Sequence, residues 1–222
     1  MARGFGFTEG AGSGDRVVTS FTAHAPQRSY GIWAYRSSGG STIGRLFEKR
    51  NFGTQVELLH HDSVNEVIVY ERDYTIQRGR WVIPINPLGT WTHFGVSYDS
   101  SSLSNVADFY VNGALQTAVE YDAPAGSPLS NADAYHVGNR GDGNRNYPGR
   151  LAEFAVWNRI LAAEEWTAIA RGFSPLCFAR SLVCHIPLIR EATDSVGAAA
   201  TVVGGSARSH PRLLYPASSI HF

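Results

Sequence analysis

Short runs of alternating or apolar residues recur along this chain, each closed by Gly, Ser, Asn or Pro, and this punctuation constrains the fold more than any other feature. The runs read DRVVTSF, SYGIWAY, IGRLFEKR, VELLHH, NEVIVYER, GRWVIPI, TWTHFGVSYD, VADFYVNG, LQTAVEY, AYHVGNR and GRLAEFAVW. Segments this short, rich in β-branched and aromatic residues and spaced by turn signals, build β-sandwiches or barrels. No strand–helix alternation specifies a parallel sheet. Among 222 residues, 43% are hydrophobic and 12% aromatic, enough for a substantial core, and 23 glycines supply tight turns.

Local chemistry fixes some geometry in advance. Asn112-Gly113, between FYV and ALQTAV, is suited to a type I′ hairpin, whose two central residues need positive φ. In TWTHFGVSYD, Phe94, Val96 and Tyr98 share one face and are expected in the core, with His93, Gly95 and Ser97 opposite. One helix is expected in NRILAAEEWTAIARG, capped by Asn158, with Ile160, Leu161, Trp166 and Ile169 on a rough helical stripe, and stopped by Gly172 before Pro175. SLVCHIPL then reads as a returning strand ended by Pro187. A sandwich over 1–204 is expected, with a Gly-rich arm over 1–14 and an extended C-terminal arm over 205–222.

Several partner classes are disfavoured by composition. Basic and acidic residues balance at 19 each, so no field of one sign gathers nucleic acid or an anionic membrane. No apolar run reaches the roughly 18 residues of a spanning helix. The opening MARGFGFTEGAGSGDR has neither the apolar stretch nor the cleavage site of a secretory signal. Cys177 and Cys184 read as two buried or half-buried free thiols.

Taken in order, WTHFGVSYD, FYVNG, HVGNR and GRLAEFAVWNRILAAEEW resemble the laminin-G-like domains of the concanavalin A-like lectin/glucanase group. RSYGIWAYRSSGGSTIGRLFEKR and GRWVIPI upstream, and SLVCHIPL, DSVG and HPR downstream, extend the likeness from about Asp15 to Arg212. The resemblance implies an all-β jelly roll of two antiparallel sheets, one curved and concave, closed by one short helix. It places Phe154 and Val156 inward and Glu153 and Ala155 outward, with Trp157 and Trp166 clamping the helix to its sheet.

Glucanases of this group set carboxylates along one strand in a Glu-x-Asp-x-x-Glu pattern. Here Glu153 is followed by Ala155 and Trp157, so that set is missing. Glu66 and Glu71 fall on opposite faces, whereas Glu71 and Asp73 can share one. No catalytic residues are therefore expected, and no enzyme. His60 and His61 point opposite ways along a strand and read as solvated loop or strand-end residues, not as a ligand pair; His93 reads as structural. Relatives bind calcium at the rim, and Asp99 and Asp142 are the candidates, but each reads as an ordinary turn residue. No metal and no cofactor are expected.

The most suggestive surface segment is NRGDGNRNYPG, which reads as a polar hairpin tip. Its Asn139, Arg140, Asp142, Asn144, Arg145 and Tyr147 are candidates to bind a glycan or another protein. In the C-terminal arm, Arg208, His210, Arg212, Leu214, Tyr215 and Phe222 are candidate partner contacts. The resulting expectation is a non-catalytic virion structural protein of a tailed phage, decorating or cementing the capsid. Its partners would be the major capsid protein or other virion proteins, in a homo-oligomeric or multi-copy assembly formed in the host cytoplasm, with a surface glycan as a further ligand. The alternative is a carbohydrate-binding module of a secreted protein; a glycoside hydrolase ranks below both.

Overall fold

The computed structural model describes residues 2–5, 14–37, 42–51, 54–188, 196, 199–204, 206–208 and 211–216. In chain order its strands are β1 (Ala2–Phe5), β2 (Arg16–Thr19), β3 (Gln27–Arg36), β4 (Ile43–Asn51), β5 (Thr54–Asp62), β6 (Val67–Arg72), β7 (Gly79–Ile83) and β8 (Trp91–Asp99). There follow β9 (Asp108–Val111), β10 (Ala114–Gln116), β11 (Val119–Asp122), β12 (Tyr135–Val137), β13 (Gly149–Trp157), helix α1 (Ala163–Ala170), β14 (Leu182–Ile186), β15 (Ala200–Val203) and β16 (Ser206–Arg208).

These strands form two eight-stranded antiparallel sheets. The first runs β10-β9-β8-β3-β13-β1-β16, with β14 also paired to β13, and the second runs β11-β7-β6-β5-β4-β12-β2-β15. The chain is a jelly-roll sandwich of the expected class. The segment LQTAVEY is divided between the sheets, β10 pairing β9 and β11 pairing β7. Phe94, Val96, Tyr98, Phe154 and Val156 all enter the core between the sheets. The Asn112-Gly113 turn has φ of 49° and 81°, as a type I′ hairpin requires.

The interior also holds charge. Glu57 is 1% exposed and takes a hydrogen bond from the Tyr135 hydroxyl, while Arg28 Nη1 donates to the same hydroxyl at 2.8 Å. Burial pushes the Glu57 carboxyl up, but Arg28, Arg72, His24 and the Tyr135 bond outweigh it and hold the group at about 2. Arg72 and Lys49 spend their protons on backbone carbonyls of Val56, Leu129, Thr22 and Asp133, tying the loops at one end to the sheets.

α1 covers the outer face of the first sheet. Trp157 and Trp166 meet edge to face at 6.0 Å and 80°, and Trp166 is fully buried with Leu161 and Ile169 beside it. Asn158 does not cap this helix. The stretch after β13 stays extended because Leu161 N–H donates to Ser29 Oγ at 2.9 Å, and the helix begins only after Ala162. Glu165 accepts the Ala162 N–H at 2.9 Å and pairs with Arg159 at 2.6 Å, so it works as a first-turn anchor. Gly172, at φ +100°, ends the helix as expected.

Both terminal segments contribute strands to the first sheet. β1 pairs the first part of β13, and β16 pairs β1. Leu213 packs with Trp33, Ala152 and Trp91, and Leu214 bridges to Phe173. Residues 211–216 thus lie along this chain's own sandwich, with Arg212, Leu214 and Tyr215 exposed. His210 and Phe222 lie outside the described residues, and of Arg208 only the strand pairing is described. Cys184 is a core residue, but Cys177 is exposed on the 3-10 turn Pro175–Phe178, so the half-buried expectation fails there.

Candidate ligand-binding face

The outer face of the second sheet carries a trough of about 450 Å³ across β4, β5, β6, β7 and β11. Strand alternation and register together place its residues in three rows. One row runs Ile43–Asp62–Val67, the next His60–Val69–Val82, and the third Glu71–Arg80. Tyr121, on edge strand β11, closes the side beyond Arg80 and is 69% exposed.

The polar groups of the trough hold one another in place. Glu71 accepts from Arg78 Nη1 at 2.8 Å and Arg80 Nε at 3.1 Å. The Arg80 guanidinium lies 5.4 Å above the Tyr121 ring centre and 3.4 Å from Asp122. His60 Nε2 is 3.5 Å from Glu71, but burial lowers its pKa despite that carboxylate. It therefore stays a neutral ring at neutral pH. At the opposite end Asp62 accepts from Val64 N–H, Asn65 N–H and the Asn65 side chain, at 2.9, 3.3 and 2.7 Å; burial nudges its pKa up, and these bonds bring it below the usual range. Between the two polar ends lies a floor of Val67, Val69 and Val82.

The histidines depart from expectation. His60 and His61 point to opposite faces, but neither is solvated, since both lie within β5 at 6% and 0% exposure. His61 faces the interior against the edge of Tyr147, ring centres 5.4 Å apart. Burial, then the charge of Arg36, brings it to about 3. His93 is buried between Trp33 and Trp166, at 5.3 and 5.8 Å.

The candidate loop is a folded structure beside β4. Asn139 is fully buried and organises it: Oδ1 accepts from Arg140 and Arg145 N–H at 2.8 and 2.9 Å, and Nδ2 donates to Gly143 O at 3.2 Å. Gly141 N–H donates to Glu48 at 2.9 Å, pinning the loop to the sheet. Tyr147 offers no stacking surface, because at 1% exposure it belongs to the core, below Gly149. Arg140 and Arg145 are half-buried, while Asp142 and Asn144 are exposed. Asp142 pairs with Arg140 and accepts Asn144 N–H at 3.1 Å, which hold its carboxyl at about 2.

Asp99, the other calcium candidate, likewise accepts Ser101 N–H and Gln27 Nε2, both at 2.9 Å. Among the described residues no group of three or more His, Cys, Asp or Glu converges. Glu66 sits in a turn at φ +52° and pairs with Arg36 at 2.7 Å. Glu153 faces outward as expected, yet it is 1% exposed, covered by Tyr215 and 2.7 Å from His185.

A family profile of laminin G type, described as the concanavalin A-like lectin/glucanases superfamily, matches residues 12–165. The chain belongs to this superfamily. Among solved structures, this lectin/glucanase-type domain is similar to a Bacteroides ovatus protein named for carbohydrate binding, at TM-score 0.66 and 14% identity over 95% of the chain. The chain spans 60% of that protein's length. It is also similar to the carbohydrate-binding module CBM40 of a Ruminococcus gnavus sialidase, at TM-score 0.50 and 14% identity, covering 73% of this chain and 97% of that one. A heptameric pentraxin from Limulus polyphemus gives TM-score 0.50 at 12% identity, covering 90% and 95%. At these identities the likeness is one of fold. No curated protein sequence matches the chain.

Proposed function

We propose that this domain binds carbohydrate without cleaving it, holding a glycan in the trough of the second sheet. The observation that carries this reading is the exposed Tyr121 ring set beside Arg80 and an apolar floor, with hydrogen-bonding groups at both ends. A sugar has the matching chemistry: apolar C–H faces to lie on a ring, and hydroxyls to meet arginine, asparagine and carboxylate. Glu71 is already committed to two arginines, which suits it to binding better than to proton transfer. The fold likeness to carbohydrate-binding proteins supports the reading.

The test is a glycan array followed by calorimetric titration with Tyr121→Ala and Arg80→Ala. Each variant should weaken binding by at least about tenfold, on the order of 1.4 kcal/mol, while the Tyr121 variant melts like the parent. An array without a ligand, or a ligand indifferent to both substitutions, overturns the reading.

A second reading, capsid decoration, draws on one observation. β1 and β16 bring both terminal segments to one edge of the first sheet, where β16 has no further strand among the described residues. An open edge accepts a strand from a neighbour. Under this reading the protein binds phage capsids, through the major capsid protein or another virion component, and a version cut before residue 205 binds less well. A blank glycan array together with that loss would favour it.

A further inference from the structure

We infer that the trough selects sugars carrying a methyl group, as an N-acetamido or 6-deoxy substituent, over plain hexoses. This rests on the carbohydrate reading above and concerns what its middle recognises. Asp62 and Asn65 sit at one end and Glu71 and Arg80 at the other, while His60, in the middle row, is 6% exposed with its Nε2 3.5 Å from Glu71. Between them the lining is branched aliphatic: Val69 lies across from Val82 in the ladder, Val67 adjoins in the next row, and Val69 is 5% exposed. Among the described lining residues the one phenol ring, Tyr121, stands at the edge strand and not over this floor.

That arrangement discriminates by a simple rule. A hydroxyl laid on a valine floor gives up water and gains no partner. A methyl laid there leaves water and gains contact. The ends then hold the ring hydroxyls, so the same pose suits a sugar whose one apolar projection points down. An added methyl in an apolar pocket is worth roughly tenfold or more in selectivity.

The experiment compares matched pairs by titration: chito-oligosaccharide against cello-oligosaccharide for the acetamido arm, and D-fucoside against D-galactoside for the deoxy arm. The expected result is a preference of about tenfold for the methyl-bearing member of at least one pair. Val69→Thr and Val82→Thr keep shape and strand propensity while replacing one methyl by hydroxyl. They should bring that ratio toward unity, read as the two affinities of each matched pair on the same variant, so that a uniform change in binding does not count as support. Equal affinity within both pairs, with binding still sensitive to Tyr121→Ala, overturns this inference and leaves the carbohydrate reading standing. A preference indifferent to the valine substitutions also overturns it. Absence of any sugar binding removes both.

Discussion

Tyr215 donates its phenolic proton to Glu153 Oε1 at 2.5 Å, across 62 residues of sequence, and the other oxygen of that carboxylate lies 2.7 Å from His185 Nε2. Glu153 occupies the irregular point of β13, at φ +54°, where the strand's partner changes from β1 to β14. The C-terminal segment is therefore latched to the place where the first sheet is least regular. Burial, and then the charge of Glu153, push the Tyr215 phenol up, so it remains a donor throughout the neutral range.

Tyr215→Phe keeps the ring and removes only the donor. Loss of a hydrogen bond to a charged group should cost about 1.5–3 kcal/mol. The urea midpoint should fall with little change in slope. A midpoint equal to the parent's would mean that the latch contributes nothing to the fold.

Gly95 should not tolerate a side chain. It sits under α1 on the outer face of β8, where an added Cβ would lie 2.7 Å from Trp166 Cε3 and Cζ3. Trp166 cannot retreat, since it stacks on Tyr110 at 5.4 Å and abuts Trp157. Gly95→Ala should cost about 1–3 kcal/mol by overpacking and alter the near-ultraviolet dichroism of the tryptophans. Gly31→Ala is the control, because its added carbon would meet His93 Nε2 at 3.3 Å and Trp157 and Trp166 at 3.4 Å. A smaller loss is expected there, and equal losses would contradict the packing argument.

The sandwich was legible in the sequence because alternation and turn chemistry act locally. Phe94, Val96 and Tyr98 faced the core, and Asn112-Gly113 turned, for reasons contained in a few neighbouring residues. The trough was not legible in this way. Val67 and Val69 alternate with Ile68 and Tyr70, so both faces of β6 read as apolar, and only the pairing of distant strands shows which face is open. Arg80 and Tyr121 become neighbours through the β7–β11 ladder, whose register no local motif specifies. Tyr147 misled for the converse reason: its polar neighbours suggest a surface, while Asn139 folds the loop so that the ring is driven inward. The helix starts later than an Asn158 cap predicts because Ser29, far away in sequence, captures the Leu161 amide. β1 and β16 are too short, at four and three residues, to announce themselves among glycines and serines.

Asn139 should matter to its loop more than the charges that decorate it. Its buried side chain bonds the Arg140 and Arg145 amides and the Gly143 carbonyl, and alanine would remove these partners from two amides and a carbonyl. Asn139→Ala should cost about 1–3 kcal/mol or more and open the Arg140–Asn144 tip to limited proteolysis. Asp142→Asn breaks an exposed ion pair with Arg140 and should cost less than about 1 kcal/mol. If the two variants are cleaved equally slowly, the loop is not organised by Asn139.

Two buried histidines make the stability of the fold sensitive to acid. His61 and His93 are each held neutral down to about pH 3 by burial, whereas an unfolded histidine titrates near 6.5. Between those values the unfolded chain binds more protons than the native one, so stability falls as the pH falls below 6.5, and no such loss occurs above it. At pH 5 each histidine should remove about 2 kcal/mol relative to pH 7. Among the described residues neither ring nitrogen of His61 has a hydrogen-bond partner, so an apolar side chain of similar size forfeits no described polar contact. His61→Leu should therefore lose less stability than the parent between pH 7 and pH 5, by about 2 kcal/mol, as read from urea denaturation at each pH. An identical loss in parent and variant would show that His61 is protonated in the folded state, and that its place between Gly44 and Tyr147 is wetter than the packing implies.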